Sequence, residues 1–246
     1  MFLLRCPKVP VYRLREEPVF PPPSEAEPSG LLAVGGDLSP LRLLVAYSRG
    51  IFPWYGEGEP ILWFSPDPRM VLRPGALAPD RGMRRTLARH DFDLRMDECF
   101  ADVIRACAEA PRAGAAGTWI TADMNAAYCA LHELGFAHSV EAWQGGELVG
   151  GIYGVALGGY FAAESMFHRR SGASIAALVA LVMQLGAWGF ELFDCQTYSH
   201  HAERLGAGNW PRSRFLDELR AALTHPTRRG RWSFDRDLVA RAQRRL

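Results

Sequence analysis

The stretch AHSVEAWQGGELVGGIYGVALGGYFAAESMF, residues 137–167, decides the fold. Two glycine-bearing turns, Gln144-Gly145-Gly146 and Gly158-Gly159, separate apolar and aromatic runs at 137–143, 147–156 and 160–167. Runs of this length between such turns read as a meander of three antiparallel strands. A long apolar segment from about Ser174 to Trp188 follows and reads as a helix. Glu191–Cys195 reads as a short strand and Arg212–Leu223 as an amphipathic helix. Two helices precede the meander. Asp97 is expected to cap one with Phe100, Val103, Ile104 and Cys107 inward. Thr121 is expected to cap the other, with Met124, Ala127, Tyr128 and Leu131 inward and Gly135 at its end. A meander followed by a helix laid on it is the layout of an α+β sandwich.

The N-terminal part has a different character. Residues 18–30 hold five prolines and read as irregular chain. Ser39-Pro40 opens a helix that Gly50 stops. Residues 51–69, aromatic and proline-rich, read as a structured hinge. The expected division is therefore a small N-terminal unit with its hinge at 1–69 and a main domain at 70–246.

At 246 residues the chain can bury roughly 70% of its extended surface, enough for a sizeable core. Lys+Arg is 28 and Asp+Glu is 27, so net charge gives no reason for general adhesion to polyanions. Five scattered cysteines without a CxxC argue against a secreted disulfide framework and a thiolate zinc site. The longest apolar run is too short for a bilayer, and the N-terminus is charged too early for a signal peptide. These features lead to the expectation of a soluble cytoplasmic protein.

There is no GxSxG elbow, P-loop, GxGxxG after a strand or HExxH. Adjacent His200 and His201 do not converge on one metal, and none is expected. In Asp194-Cys195-Gln196, at a strand end, the first and third side chains share a face. A carboxylate taking the Gln196 amide N–H₂ would aim its oxygen at a donor; a plain polar strand end is the alternative. Glu164 stands in an otherwise small or apolar strand and needs a partner if buried. That partner is either a substrate cation or a nearby arginine, Arg169 or Arg170. Trp54, Tyr55, Trp63, Phe64 and Trp119 lie in irregular segments and suit either core packing or ring stacking. Arginines concentrate at 81–95 and again at 225–246, as phosphate contacts or as solvated faces.

Several longer motifs stand in one order: GLLAVGGDLSPLRLLVAYSRGIFPWY (30–55), ILWFSPDPR (61–69), GTWIT (117–121), AYCALHELGFAHSVEAW (127–143), LVGGIYGVALGG (148–159), ESMF (164–167) and FDCQ (193–196). Together they make the chain resemble the leucyl/phenylalanyl-tRNA–protein transferase family from about residue 19 to 217. The resemblance implies a small N-terminal domain followed by an acyl-CoA N-acyltransferase-like (GNAT-type) domain. It implies transfer of Leu, Phe or less readily Met from aminoacyl-tRNA to proteins with an N-terminal Arg or Lys, marking them for N-degron degradation. No cofactor or metal, and a monomer, are implied as well.

Residue by residue, the resemblance assigns the reacting centre to Asp194, Gln196 and Glu164. It places the aminoacyl-tRNA 3′ end at Trp54, Trp119, Tyr47 and Tyr128. The amino-acid pocket falls on Ile152, Phe161, Met166, Leu178, Leu181 and Phe193, and the tRNA backbone on Arg84, Arg85 and Arg89. The family usually carries Ala-Ser-Lys where this chain has Ala173-Ser174-Ile175, so any anion contact of that lysine is lost.

Two other readings stand beside this one. Arg169-Arg170-Ser171-Gly172-Ala173-Ser174, ahead of a helix, approximates the pyrophosphate loop of a coenzyme A-dependent N-acetyltransferase. A non-catalytic RNA-binding adaptor that kept the fold is the other.

Overall fold

The glycine turns do close the expected meander. The computed structural model describes residues 11–88, 92–110 and 118–235. Its small sheet holds β1 (Tyr12–Leu14), β2 (Leu31–Gly35), β3 (Phe52–Pro53) and β4 (Leu62–Phe64), in the order β1-β2-β4-β3. The large sheet holds β5 (Arg69–Leu72), β6 (Asp93–Met96), β7 (Ala137–Gln144), β8 (Glu147–Leu157), β9 (Tyr160–His168), β10 (Leu192–Gln196) and β11 (Gly208–Trp210). Its order is β11-β5-β10-β9-β8-β7-β6. The helices are α1 (Pro40–Ser48), α2 (Arg81–Ala88), α3 (Phe100–Glu109), α4 (Ala122–Glu133), α5 (Ala173–Ala187), α6 (His200–Glu203) and α7 (Arg212–Ala222). The architecture is α+β, with helices on both faces of the large sheet.

One face buries α1, α3, α4 and α7 through Tyr47, Val103, Ile104, Tyr128 and Phe215. The other buries α5, an almost wholly apolar helix, through Leu178, Leu181, Val182 and Leu185. Because α5 links β9 to β10, those neighbours run parallel, while every other pairing in the large sheet is antiparallel.

Strand β9 carries one extra residue. Tyr153 pairs with Ser165 but Gly154 pairs with Ala163, leaving Glu164 bulged out of the ladder. Gly154 permits this close approach, since a Cβ there would lie 2.2 Å from the Ala162 carbonyl oxygen.

Two local expectations are refined or changed. Segment 51–69, expected as a structured hinge, supplies β3 and β4 to the small sheet and enters the large sheet at Arg69. Strands β1 and β2 flank residues 18–30, which hold no strand, as expected. Asp97 does not cap α3, whose N-cap is Cys99 with no side-chain bond. With φ at +54°, Asp97 turns its carboxylate inward to accept from Ser139 N (2.8 Å) and Trp232 N (2.7 Å), and it meets His138 Nδ1 at 2.8 Å. Ser39 and Thr121 do cap, accepting from Arg42 N and Met124 N.

Candidate active site

The bulge aims Glu164 at the face that holds α1 and α4. Tyr47 donates to Glu164 Oε1 at 2.7 Å and Tyr128 donates to Oε2 at 3.0 Å. The two hydroxyls also touch each other. Gln196 completes the set, its Nε2 donating to Glu164 Oε1 at 2.7 Å. Burial pushes the Glu164 carboxyl up to about 7, against these three hydrogen bonds and with the nearby Asp194 charge. The same burial and the same carboxylate hold both tyrosines well above their usual range, so both remain donors.

Gln196 owes its position to strained backbone. Its φ is +63°, and the β10–β5 register shifts between Asp194 and Gln196. Its amide N–H donates to Asp194 Oδ1 at 2.8 Å, which holds the turn. A carboxylate such as ionised Glu164 only accepts, so the side-chain nitrogen faces Glu164 and Oε1 is the acceptor left to present. The carboxylate that orients the Gln196 amide is therefore Glu164, and Asp194 holds the same residue by its backbone.

Asp194 is fully buried beneath this layer. Arg69 donates to it from Nε (2.8 Å) and Nη2 (2.7 Å), and Tyr160 donates from its hydroxyl at 2.7 Å. Arg69 Nη1 reaches the Gly50 carbonyl at 3.0 Å, and its guanidinium lies between the rings of Phe52 (4.9 Å) and Phe215 (4.6 Å). Sequence reasoning passed over Arg69 and Tyr160. The available signal was an arginine opening the buried strand RMVL.

Two adjoining cavities share Trp119, Ala163, Glu164 and Cys195. The smaller, about 140 Å³, adds Phe52, Trp54 and Gln196. The larger, about 300 Å³, adds Ile152, Met166, Leu178 and Phe193. Trp54 is 46% exposed, open to stacking. Of the six expected pocket residues, Phe161 and Leu181 do not line the cavity. Phe161 is stacked behind Phe193 with ring centres 5.6 Å apart, and Leu181 is in the core. Tyr47 and Tyr128 likewise sit beneath the site, fully buried. Burial and Asp194 push the Cys195 thiol far up, which favours its protonated form.

The arginine alternative for Glu164 does not hold: its partners are the two tyrosines and Gln196, and Arg169 bonds the Leu148 carbonyl at 3.2 Å. Arg84 and Arg85 are exposed on α2, with Arg84 Nε donating to the Pro79 carbonyl at 2.9 Å. Arg89 lies outside the described residues, as do Arg236, Arg241, Arg244 and Arg245 of the C-terminal arginine group. Arg95 is tied to Asp93 and Glu98. Among the described residues, no three of His, Cys, Asp and Glu are grouped to hold a metal ion, and no helix is long and apolar enough to cross a membrane.

The family model described as leucyl/phenylalanyl-tRNA protein transferase matches residues 71–220, and that of the same family's N-terminal domain matches residues 36–67. The leucyl/phenylalanyl-tRNA–protein transferase of Myxococcus xanthus is 55% identical over 227 residues, covering 92% of this chain and 97% of that protein. The chain belongs to this family.

Two further transferases of the same name agree. That of Alkalilimnicola ehrlichii is 60% identical over 222 residues, 89% of this chain and 86% of that protein. That of Nitratidesulfovibrio vulgaris is 55% identical over 221 residues, 90% and 94%. Membership makes the chain an aminoacyltransferase and replaces both the coenzyme A and the adaptor readings. The segment that suggested coenzyme A opens α5 through Gly172 at φ +85°, with no side-chain cap.

Proposed function

We propose that this protein moves Leu or Phe, and less readily Met, from aminoacyl-tRNA to the α-amine of an N-terminal Arg or Lys on a protein. The product carries a new N-degron residue. The reaction takes place in the cytoplasm on a monomer whose main domain is of the N-acyltransferase type. One observation carries the reading. An apolar cavity of about 300 Å³ opens beside Glu164, the residue that orients Gln196, and shares Trp119 with a second cavity bearing Trp54.

In this reading the donor's Leu or Phe side chain enters between Ile152, Met166, Leu178 and Phe193. Trp54 and Trp119 stack on the terminal adenosine, and Arg84, Arg85 and Arg89 follow the acceptor stem. A cavity that selects by apolar shape separates similar side chains weakly, which accounts for tolerance of Met. The aminoacyl ester is already activated, so no covalent enzyme intermediate is needed, and orientation of two bound substrates supplies much of the rate. The acceptor amine attacks the ester carbonyl carbon, the bond to the ribose oxygen breaks, and that oxygen leaves with a proton. Gln196 Oε1 accepts a hydrogen bond from the incoming amine and aims its lone pair. An amide is too weak a base to keep the proton, which passes through water or the ribose hydroxyl beside the ester. Glu164 fixes the Gln196 amide and offers negative charge to an approaching ammonium.

The test uses Leu-charged tRNA labelled on leucine with peptides beginning in Arg or in Ala. Label entering only the Arg-initial peptide is expected. Label in neither peptide, with tRNA still bound, would overturn the proposal.

A further inference from the structure

The family match ends at Arg220, yet residues 224–235 beyond it are held down at several points. Residues 224–235 form an irregular strap. Thr227 Oγ1 accepts from Gly158 N at 2.9 Å, and Arg229 Nη2 donates to the Leu134 carbonyl at 2.9 Å. Gly230 crosses Gly135 so closely that a Cβ on Gly135 would lie 2.3 Å from Gly230 N. Trp232 N donates to Asp97. Farther on, Gln184 and Asp235 bond reciprocally, Nε2 to Oδ2 at 2.8 Å and N to Oε1 at 2.9 Å.

These anchors seat one large apolar side chain. Trp232 is 2% exposed, stacked on His138 at 3.6 Å between ring centres and 5° between planes. Trp188 and Phe190 meet it edge-on at 5.0 and 5.9 Å. Phe161 lies 6.2 Å from it, ring centre to ring centre. Phe161 in turn stacks on Phe193, and Phe193 is a wall of the larger cavity. A column of three rings thus runs from the strap to the cavity. Close-packed interiors transmit such contacts, because no slack separates one ring from the next.

We propose that Trp232 is a specificity-determining residue: by fixing Phe161, and through it Phe193, the strap sets the depth of the apolar cavity and so the size of amino-acid side chain transferred. The inference rests on the reading of that cavity as the donor side-chain pocket. Removing the indole leaves a void that neighbours fill only in part. Phe161 relaxes toward it, Phe193 follows, and the cavity deepens. In an apolar pocket one methylene is worth about tenfold or more in discrimination, so a small retreat is measurable.

The experiment is a competition of Leu-tRNA and Phe-tRNA for one Arg-initial peptide, with wild type, Trp232→Leu and Trp232→Phe. The product ratio is set by the folded fraction alone and is indifferent to how large that fraction is. Trp232→Leu is expected to raise the Phe-to-Leu ratio at least about fivefold and to admit Trp-tRNA as a donor, with Trp232→Phe intermediate. Should Trp232→Leu fail to fold, Phe161→Leu carries the same expectation. Leu219→Ala, in the core on the opposite face, serves as a destabilised control whose ratio stays at the wild-type value. A ratio within twofold of wild type in the Trp232 variants overturns the proposal, and so does an equal shift in Leu219→Ala. A wild type that transfers neither amino acid refutes instead the reading of the cavity.

Discussion

Replacing Arg69 with leucine tests how the candidate site is supported. Arg69 and Asp194 are 1% and 0% exposed and share two hydrogen bonds at 2.8 and 2.7 Å. Removing one partner of a buried pair costs about 3–5 kcal/mol, because the other charge remains unpaired. Tyr160 and Gln196 N still donate to Asp194, which moves the cost toward the lower figure. The Gly50 carbonyl loses its donor and two rings lose a cation, which moves it back up. The expected loss is about 4 kcal/mol, a large share of a typical domain's stability. Urea unfolding of Arg69→Leu, Asp194→Asn and the double variant measures it as a cycle. With Asp194 neutralised there is no orphaned charge, so the double variant should be less destabilised than the sum by about 2 kcal/mol. Turnover should fall in both single variants, since Asp194 holds the backbone of Gln196. A loss under about 1 kcal/mol for Arg69→Leu, or a coupling near zero, would refute the argument that this pair carries the site.

Other outcomes follow from the same geometry. Glu141 is buried, and burial pushes its carboxyl up to about 7 against a bond from Ser139. The folded state therefore holds a proton that the unfolded chain releases near 4.5. The resulting stability is complete below that pH and is lost as pH rises through about 7, a change of about 3 kcal/mol. Glu141→Gln should flatten urea-unfolding stability over this window, and an unchanged slope would contradict it; Glu164 acts in the same direction. Glu164→Gln should lower kcat by about a hundredfold while the KM for aminoacyl-tRNA stays within about twofold, read in steady-state transfer assays. Arg84→Ala with Arg85→Ala should weaken tRNA binding and reduce the slope of log affinity against log salt by about 1–2; an unchanged slope places the tRNA elsewhere.

The meander was legible because glycine turns and strand composition act locally, and two of the helix starts because Ser39 and Thr121 cap within three residues. Asp97 carries the same local signature, yet tertiary contacts with Ser139 and Trp232 claim its carboxylate. Asp194, Gln196 and Glu164 could be singled out as polar groups in apolar strands. Their wiring could not, because it depends on one inserted residue and one positive φ that composition does not announce. Arg69 is separated from Asp194 by 125 residues, and only the register of β5 on β10 brings them together. The strap was invisible for a related reason: its arginines suggested phosphate contacts or a solvated face, while the informative residue was the single tryptophan among them.

The bulge at Glu164 also limits how such an enzyme can diversify. Upstream of it, Tyr160 and Ala162 face the layer of α3 and α4. Downstream, Phe167 takes that face and Met166 turns to the cavity. Deleting one residue would exchange these roles, sending Phe167 toward the cavity side and Met166 into the opposite core. The carboxylate and the cavity wall are thus in one reading frame of the strand. An insertion or deletion here moves the carboxylate and this cavity wall together, whereas a substitution changes one and leaves the other in place.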